Sequence, residues 1–446
     1  MFHQLYYFVL LILPICIRAQ EKPIALIGTI ILPDKSIDNG TVLIFDRYIK
    51  AVGAKISIPN DAIIVHINGV ILPGLIDVHN HLTWNIFPRW KPLEEFGSRY
   101  DWQKKAIYRT LLQSPHKALT DAGLSCEMQR YAEVKAITQG VTSLIGSLKN
   151  PCNRGLARNL DDDSTLGQIL YDVFPLLMSD MKLKEVNEVL SSNGTLLIHL
   201  AEGSPNDATA AMEFLMLKAR GLLRPGVSLI HGVALKQNDF RDMANASVGF
   251  IWSPHSNLAL YGDTANLEAA LESRVVTAIA PDWSPTGSDG LLSELNYATT
   301  WNGGLEYSLF DDHLLLDMAT INPAKLVHLE KRLGALKEGY LADVLVLQFN
   351  SDHNKFNPYW TATHSTPEDV LLVLIDGKAV YGNPQLMTQL VESKNLESLD
   401  ICGVEKSISF ASQNTSQTSF RQTEKLLNNA LRHFGQTLAP LSYCGK

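Results

Sequence analysis

A chain of 446 residues with 46% hydrophobic content has enough apolar material for a barrel-sized core and a smaller second domain. Its formal net charge of −8 at pH 7 disfavours polyanions, so nucleic acid is not an expected partner. Beyond the N-terminal leader no run is long and apolar enough to span a bilayer.

The leader comes first. Leu5 to Ile17 form an apolar core followed by Arg18-Ala19-Gln20, the pattern of a signal peptide cut near Ala19, although no Lys or Arg precedes the core. Residues 1–19 are therefore read as a signal peptide and the protein as secreted or periplasmic. The competing reading keeps this N-terminal apolar segment as a membrane anchor. Cleavage would leave Cys126, Cys152, Cys402 and Cys444, with three connectivities open; Cys402 with Cys444 is the expected pair. None lies in a metal-binding spacing, so structural or free thiols are the reading for all four. The triplets at Asn39, Asn193, Asn245 and Asn414 fit the N-glycosylation sequon but are too common to carry weight.

From residue 20 to 73, short β-rich runs such as IALIGTIIL, GTVLIFD and AIIVHI alternate with turn signals, predicting the first part of a small β-sandwich domain. Two further strands, LADVLVLQF and VLLVLIDGKAVYG, fall within residues 331–385 and predict its second part, so both flanks of the central region build it. Residues 386–446 read as a C-terminal extension combining a Ser/Thr/Gln linker with an amphipathic helix.

Residues 74–330 carry the chemistry. Successive strands are read at LIDVHNH, GVTSLIGS, ARNLD, DVFPL, TLLIHL, VSLIHGVAL, VGFIWSP and VVTAIAPD, separated by helical stretches, which predicts a (β/α)8 TIM-like barrel. In the first, His79 and His81 are two apart, and alternation along a strand sends both rings the same way. Three later apolar runs also end in metal-binding or proton-moving groups: His199 with Glu202, His231, and Asp282. A lone histidine on an apolar strand is ordinarily a hydrogen-bonded core residue. Four strands repeating the arrangement at their C-terminal ends point to a metal site. The long stretch between Leu82 and Leu124 contains Trp84, Trp90, Trp102, Arg89, Arg99, Tyr100 and His116, and is read as a binding wall, with Trp84 its nearest aromatic to the histidine pair.

The order NGTVLIFDRYIKAVG, PGLIDVHNHL, IHLAEG, LIHGVAL, SPHSNLALYG, PDWSPTGS and NPAKLVHLEKRLGALKEGYLADVLVL resembles the amidohydrolase superfamily, in its branch of cytosine, guanine and chlorotriazine hydrolases. The resemblance implies that His79, His81, His199 and Asp282 are metal ligands and that Glu202 and His231 handle protons. Three imidazoles and a carboxylate suit one divalent ion, zinc ahead of iron or manganese. Such an ion lowers the pKa of its water to about 7. His231 would then hydrogen-bond the resulting hydroxide and the oxyanion, Asp282 would accept the water proton as a catalytic group, and Glu202 would protonate a ring nitrogen or leaving amine. His255 and Asn257 follow the seventh strand, where related enzymes often hold substrate, although His255 stands where Arg is frequent. Asp289 and Glu294 read as helix-start and surface acids, and Lys182 and Lys184 as helix-surface charges rather than ligands for a second ion.

The function implied is hydrolysis of a non-peptide C–N bond in a small molecule, by deamination of a heterocyclic amine or opening of a cyclic or linear amide. Hydrolysis of a C–halogen, ester or lactone bond at the same site is the alternative. A secreted binding protein without turnover is a third reading, as is a homo-oligomeric state.

Overall fold

The computed structural model describes residues 22–146, 156–172, 178–349, 357–411 and 419–444. The leader expected at residues 1–19, Cys152 and the Asn414 triplet lie outside these residues.

Eight parallel strands follow one another through the central region. They are β5 (Leu75–Asp77), β6 (Val141–Leu144), β7 (Arg158–Asn159), β8 (Ile169–Asp172), β9 (Thr195–Leu200), β10 (Val227–His231), β11 (Gly249–Trp252) and β12 (Thr277–Ile279). They pair in the orders β5-β6-β7 and β8-β9-β10-β11-β12. The first and last are joined beyond their ends, where Asn80 bridges Asp282 in parallel and the His81 amide donates to the Asp282 carbonyl at 3.2 Å. The fourth strand begins earlier than DVFPL suggests, because Ile169 to Asp172 pair with Thr195 to Ile198; residues 173–177 lie outside the described residues.

These strands are apolar on both faces because helices cover them outside and side chains fill them inside. Ile76, Leu160, Ile169, Leu197, Ile230, Ile251 and Ala278, from strands all around the barrel, pack as one buried cluster. Their neighbours Leu75, Leu196, Ile198, Leu229, Phe250 and Ile279 join the larger cluster beneath the helices. This division decides where the polar groups at the strand ends go.

The small domain is a nine-stranded mixed sheet drawn from both flanks. Its N-terminal strands are β1 (Ile24–Ile31), β2 (Ser36–Phe45), β3 (Tyr48–Gly53) and β4 (Ile63–Pro73), and its C-terminal ones are β13 (Val344–Gln348), β14 (Val370–Ile375), β15 (Lys378–Gly382), β16 (Leu396–Ile401) and β17 (Val404–Ser409). The order is β16-β17-β15-β14-β13-β4-β1-β2-β3, antiparallel throughout except for β1 against β4. Thus β16 and β17, beyond residue 385, extend this sheet. An ion network, buried at Arg158 and Asp343 and half-exposed at Asp376 and Arg47, fastens it to the barrel: the Arg158 guanidinium reaches Asp343 at 2.8 Å and Asp376 at 2.7 Å, and Asp376 also receives Arg47.

The amphipathic helix of the tail forms at Phe420–Arg432, burying Phe420, Thr423, Leu427 and Leu431. A disulfide joins Cys402, in the turn between β16 and β17, to Cys444, with Cα atoms 5.3 Å apart, as expected. Between helix and disulfide, the tail crosses the segment that follows β5: the Ala439 amide donates to the Ile86 carbonyl at 2.9 Å, and Gln436 Nε2 to the Leu111 carbonyl at 2.8 Å.

Candidate metal centre

Three strand ends and the loop after β12 bring the centre together. His199 lies two residues beyond Leu197 of the inner cluster, so ordinary alternation turns it inward. His231 lies one residue beyond inward-facing Ile230, and alternation would turn it out. Its left-handed backbone, φ 70°, breaks the pattern, and the ring centroid comes to 4.7 Å from that of His79. Asp282 likewise has φ 66°. Left-handed conformations at non-glycine residues cost about 1–3 kcal/mol each and persist where surrounding structure imposes them. Gly146, beside the first loop, has φ 91°, and a Cβ there would stand 2.0 Å from the Asn80 carbonyl oxygen, so only glycine lets these two loops meet.

Four ligand atoms converge. His199 Nε2 is 3.1 Å from His79 Nε2 and 3.2 Å from His81 Nε2, while Asp282 Oδ1 is 3.2 and 3.3 Å from the same two nitrogens. Ligands held about 2.0–2.2 Å from a shared ion at tetrahedral angles stand roughly 3.3–3.6 Å apart, close to the spacing found. The protonation pattern fits too. His199 Nδ1 lies 3.0 Å from the Asp172 carbonyl, which only accepts, so this nitrogen carries the hydrogen and Nε2 presents a lone pair. Burial lowers His79 to about 3 and holds His199 well below its ordinary value, so both rings are neutral near pH 7. Lone pairs and a carboxylate crowded on one point repel one another unless a cation stands among them. The donor set is therefore a site for a divalent metal.

The segment Ser253–Tyr261 orients this centre. Ser253 Oγ is 2.7 Å from His79 Nδ1, and Ser256 Oγ donates to Asp282 Oδ2 at 2.6 Å. Asn257 Oδ1 accepts from His231 Nδ1 at 2.8 Å, and its amide orientation follows from Nδ2 donating to Thr264 Oγ1 at 3.3 Å. Tyr261 OH donates to Glu202 Oε1 at 2.7 Å. Glu202 Oε2 lies 3.6 Å from His231 Nε2 and 3.5 Å from the Arg99 guanidinium. On the other side, the buried Asp77 receives the His79 amide and Asn80 Nδ2; burial pushes its carboxyl up to about 7 in spite of them.

Of the residues expected to touch substrate, Trp84 joins His81, Asp161 and Tyr171 around a cavity of about 190 Å³ and stacks on His116 with centroids 4.0 Å apart. Asn257 instead bonds His231. His255 stacks on Tyr297 at 4.2 Å, meets Ser288 Oγ at 3.0 Å, and takes no part in the ligand cluster. The surface reading of Asp289 and Glu294 is corrected: both are buried, because the loop after β12 folds over them. Glu294 accepts the His255 amide at 3.0 Å and is pushed up to about 7 by burial, while Asp289 faces Lys135 and Arg89. Sequence reasoning missed Tyr171, Trp283 and Tyr261. Tyr171 and Trp283 approach the histidine rings edge-on at 5.4 and 5.9 Å, yet as aromatics at apolar strand ends they carry no signal distinguishing them from core.

Comparison with known proteins agrees with the geometry. Residues 70–380 match the model of the amidohydrolase family. A 5-methylthioadenosine/S-adenosylhomocysteine deaminase of Pyrococcus furiosus is 26% identical over 365 residues, covering 73% of this chain and 86% of the relative. One from Desulfitobacterium hafniense is 26% identical over 398 residues, covering 80% and 92%. Among solved structures, a zinc-bound adenosine deaminase of Xanthomonas campestris superposes with a TM-score of 0.68 at 13% identity, covering 93% of this chain and 99% of the other. Escherichia coli guanine deaminase superposes with a TM-score of 0.62 at 16% identity, covering 81% and 100%.

The expected localisation is corrected by these relatives. The matches are to 5-methylthioadenosine/S-adenosylhomocysteine deaminases, and on them the expected localisation is withdrawn. No helix among the described residues is long and apolar enough to cross a membrane. On the match across residues 70–380 and the ligand set that the fold assembles, the chain belongs to the amidohydrolase family.

Proposed function

We propose that this protein deaminates a small heterocyclic amine by metal-dependent hydrolysis of a C–N bond, with an adenine nucleoside as the substrate class. The convergence of His79, His81 and His199 Nε2 with Asp282 Oδ1 carries the reading. The deaminase names of relatives that share three quarters of the chain support the substrate class. These four residues would hold one ion, zinc by the nitrogen-rich donor set, leaving room for water. When bound, the ion supplies Lewis acidity that brings the pKa of water down to about 7.

The remaining chemistry belongs to side chains. His231 donates from Nδ1 to Asn257, so its Nε2 lone pair accepts a hydrogen bond from the attacking water and orients it. Asp282 takes the water proton at its carboxylate. Glu202, with Oε2 beside His231, delivers a proton to the ring nitrogen or the departing amine. Trp84 and Tyr171 supply aromatic walls suited to a planar heterocycle.

Metal analysis and an ammonia-release assay test the reading together. One equivalent of zinc per chain is expected, with ammonia from adenosine, 5′-methylthioadenosine or S-adenosylhomocysteine. His231→Ala and Glu202→Gln should keep the metal and lose activity by orders of magnitude. Acid or halide release without ammonia would instead assign the site to ester, lactone or C–halogen hydrolysis.

A further inference from the structure

We propose that Trp102 and Tyr261 form a positioning relay that fixes Glu202 so that Oε2, and not Oε1, carries the proton, making the segment between β5 and β6 a working part of the site. The inference rests on the role of Glu202 proposed above. Trp102 Nε1 can only donate, and it does so to Tyr261 OH at 2.9 Å. The phenol hydrogen is thereby directed to Glu202 Oε1, 2.7 Å away.

Oε2 is left with looser neighbours, Arg99 Nη1 at 3.5 Å and His231 Nε2 at 3.6 Å. It is the oxygen turned to the reactive histidine. The backbone holds the same geometry, since the Arg99 amide donates to the Glu202 carbonyl at 3.2 Å and Ser98 bridges Gly203. Glu213 secures the arrangement from behind, accepting from the Ala201 amide and from Tyr100 OH, each at 2.6 Å, with Arg99 3.3 Å away. Every group in this network is buried except for part of Tyr100. Water is therefore poorly placed to replace a lost donor.

Steady-state kinetics of the metal-loaded protein with ammonia detection, on Tyr261→Phe, Trp102→Phe and the double variant, tests the relay. Tyr261→Phe keeps the ring and removes only the hydroxyl. Its kcat should fall about 10- to 100-fold while KM and bound metal stay within about 2-fold of wild type. Trp102→Phe should lower kcat by less, and should have little further effect when Tyr261 is already Phe, because Trp102 acts through that hydroxyl. An unchanged kcat in Tyr261→Phe overturns the relay, as does a Trp102→Phe effect equally large in both backgrounds. Glu202→Gln serves as the reference: if it retains full activity, the proton-carrying role and the relay fall together, whereas an inactive Glu202→Gln beside an unaffected Tyr261→Phe overturns the relay alone. Should Tyr261→Phe fold poorly, Trp102→Phe alone must still lower kcat at constant KM.

Discussion

Replacing Asn257 by Leu isolates what holds His231 in its working tautomer. The two side chains branch alike, but Leu is the larger and Asn257 is fully buried, so overpacking adds to the chemical change. Asn257 Oδ1 is the acceptor for His231 Nδ1 at 2.8 Å. Without it one buried N–H is orphaned, a cost of about 1–3 kcal/mol in stability. The second partner, Thr264 Oγ1, still receives Trp252 Nε1 at 2.8 Å, so no further group is stranded, and overpacking by the larger Leu adds about 1–3 kcal/mol. The ring is then free to carry its hydrogen on Nε2, which removes the acceptor facing Glu202. We expect kcat to fall about 10- to 100-fold with KM nearly constant, and denaturant unfolding to show the stability loss. Long-range ¹⁵N correlation spectra of the imidazole should show the hydrogen moving from Nδ1. Asn257→Asp, which keeps an acceptor, should retain most activity. Wild-type kcat in Asn257→Leu with the tautomer unchanged would refute the reasoning.

Three other outcomes follow from the geometry. Gly146→Ala forces a Cβ against the Asn80 carbonyl at a backbone φ of 91°, so it should destabilise the fold by roughly 2 kcal/mol or more and lower metal occupancy, measured by unfolding and metal analysis. Reducing Cys402–Cys444, or replacing Cys444 by Ser, opens a crosslink 42 residues apart worth roughly 4 kcal/mol in chain entropy; a thermal scan should show it, and limited proteolysis should speed at residues 436–444. Burial lowers His116 to about 4 from its ordinary 6.5, so the unfolded chain binds the extra proton between these values. Stability contributed by the neutral ring is complete above pH 6.5 and is lost, by up to about 3 kcal/mol, as pH falls toward 4; His116→Gln should flatten that part of a urea-midpoint profile.

The fold was legible in the sequence wherever one residue type repeats for one physical reason. Apolar strands covered on both faces read as continuous runs; β9 ended where its run did, while β10 stopped at His231, short of the GVAL that continues its run. The paired flanks of the small domain were legible too, and the buried face of the tail helix at Phe420, Thr423, Leu427 and Leu431 follows from its spacing. Less was legible where few residues make a strand, as at β7, which has two. The small sheet also takes in β16 and β17, whose half-exposed, mixed composition resembles linker.

The sequence by itself supplied the candidates, His79, His81, His199, Glu202, His231 and Asp282, by type and position at strand ends, and the resemblance to the amidohydrolase superfamily singled out His79, His81, His199 and Asp282 as ligands. Tertiary structure alone decided the protonation and orientation of that set, because these depend on partners remote in the chain. Asn257 looked like a substrate-binding residue, yet it bonds His231, and its neighbours Ser253, Ser256 and Tyr261 bond His79, Asp282 and Glu202. Asp289 and Glu294 looked like solvated acids and are buried, because a carboxyl's surroundings are set by the loop folded over it and not by its neighbours in sequence. His231 shows the difference most directly: alternation along β10 would have faced it away, and one left-handed residue imposed by packing turns it to the metal centre.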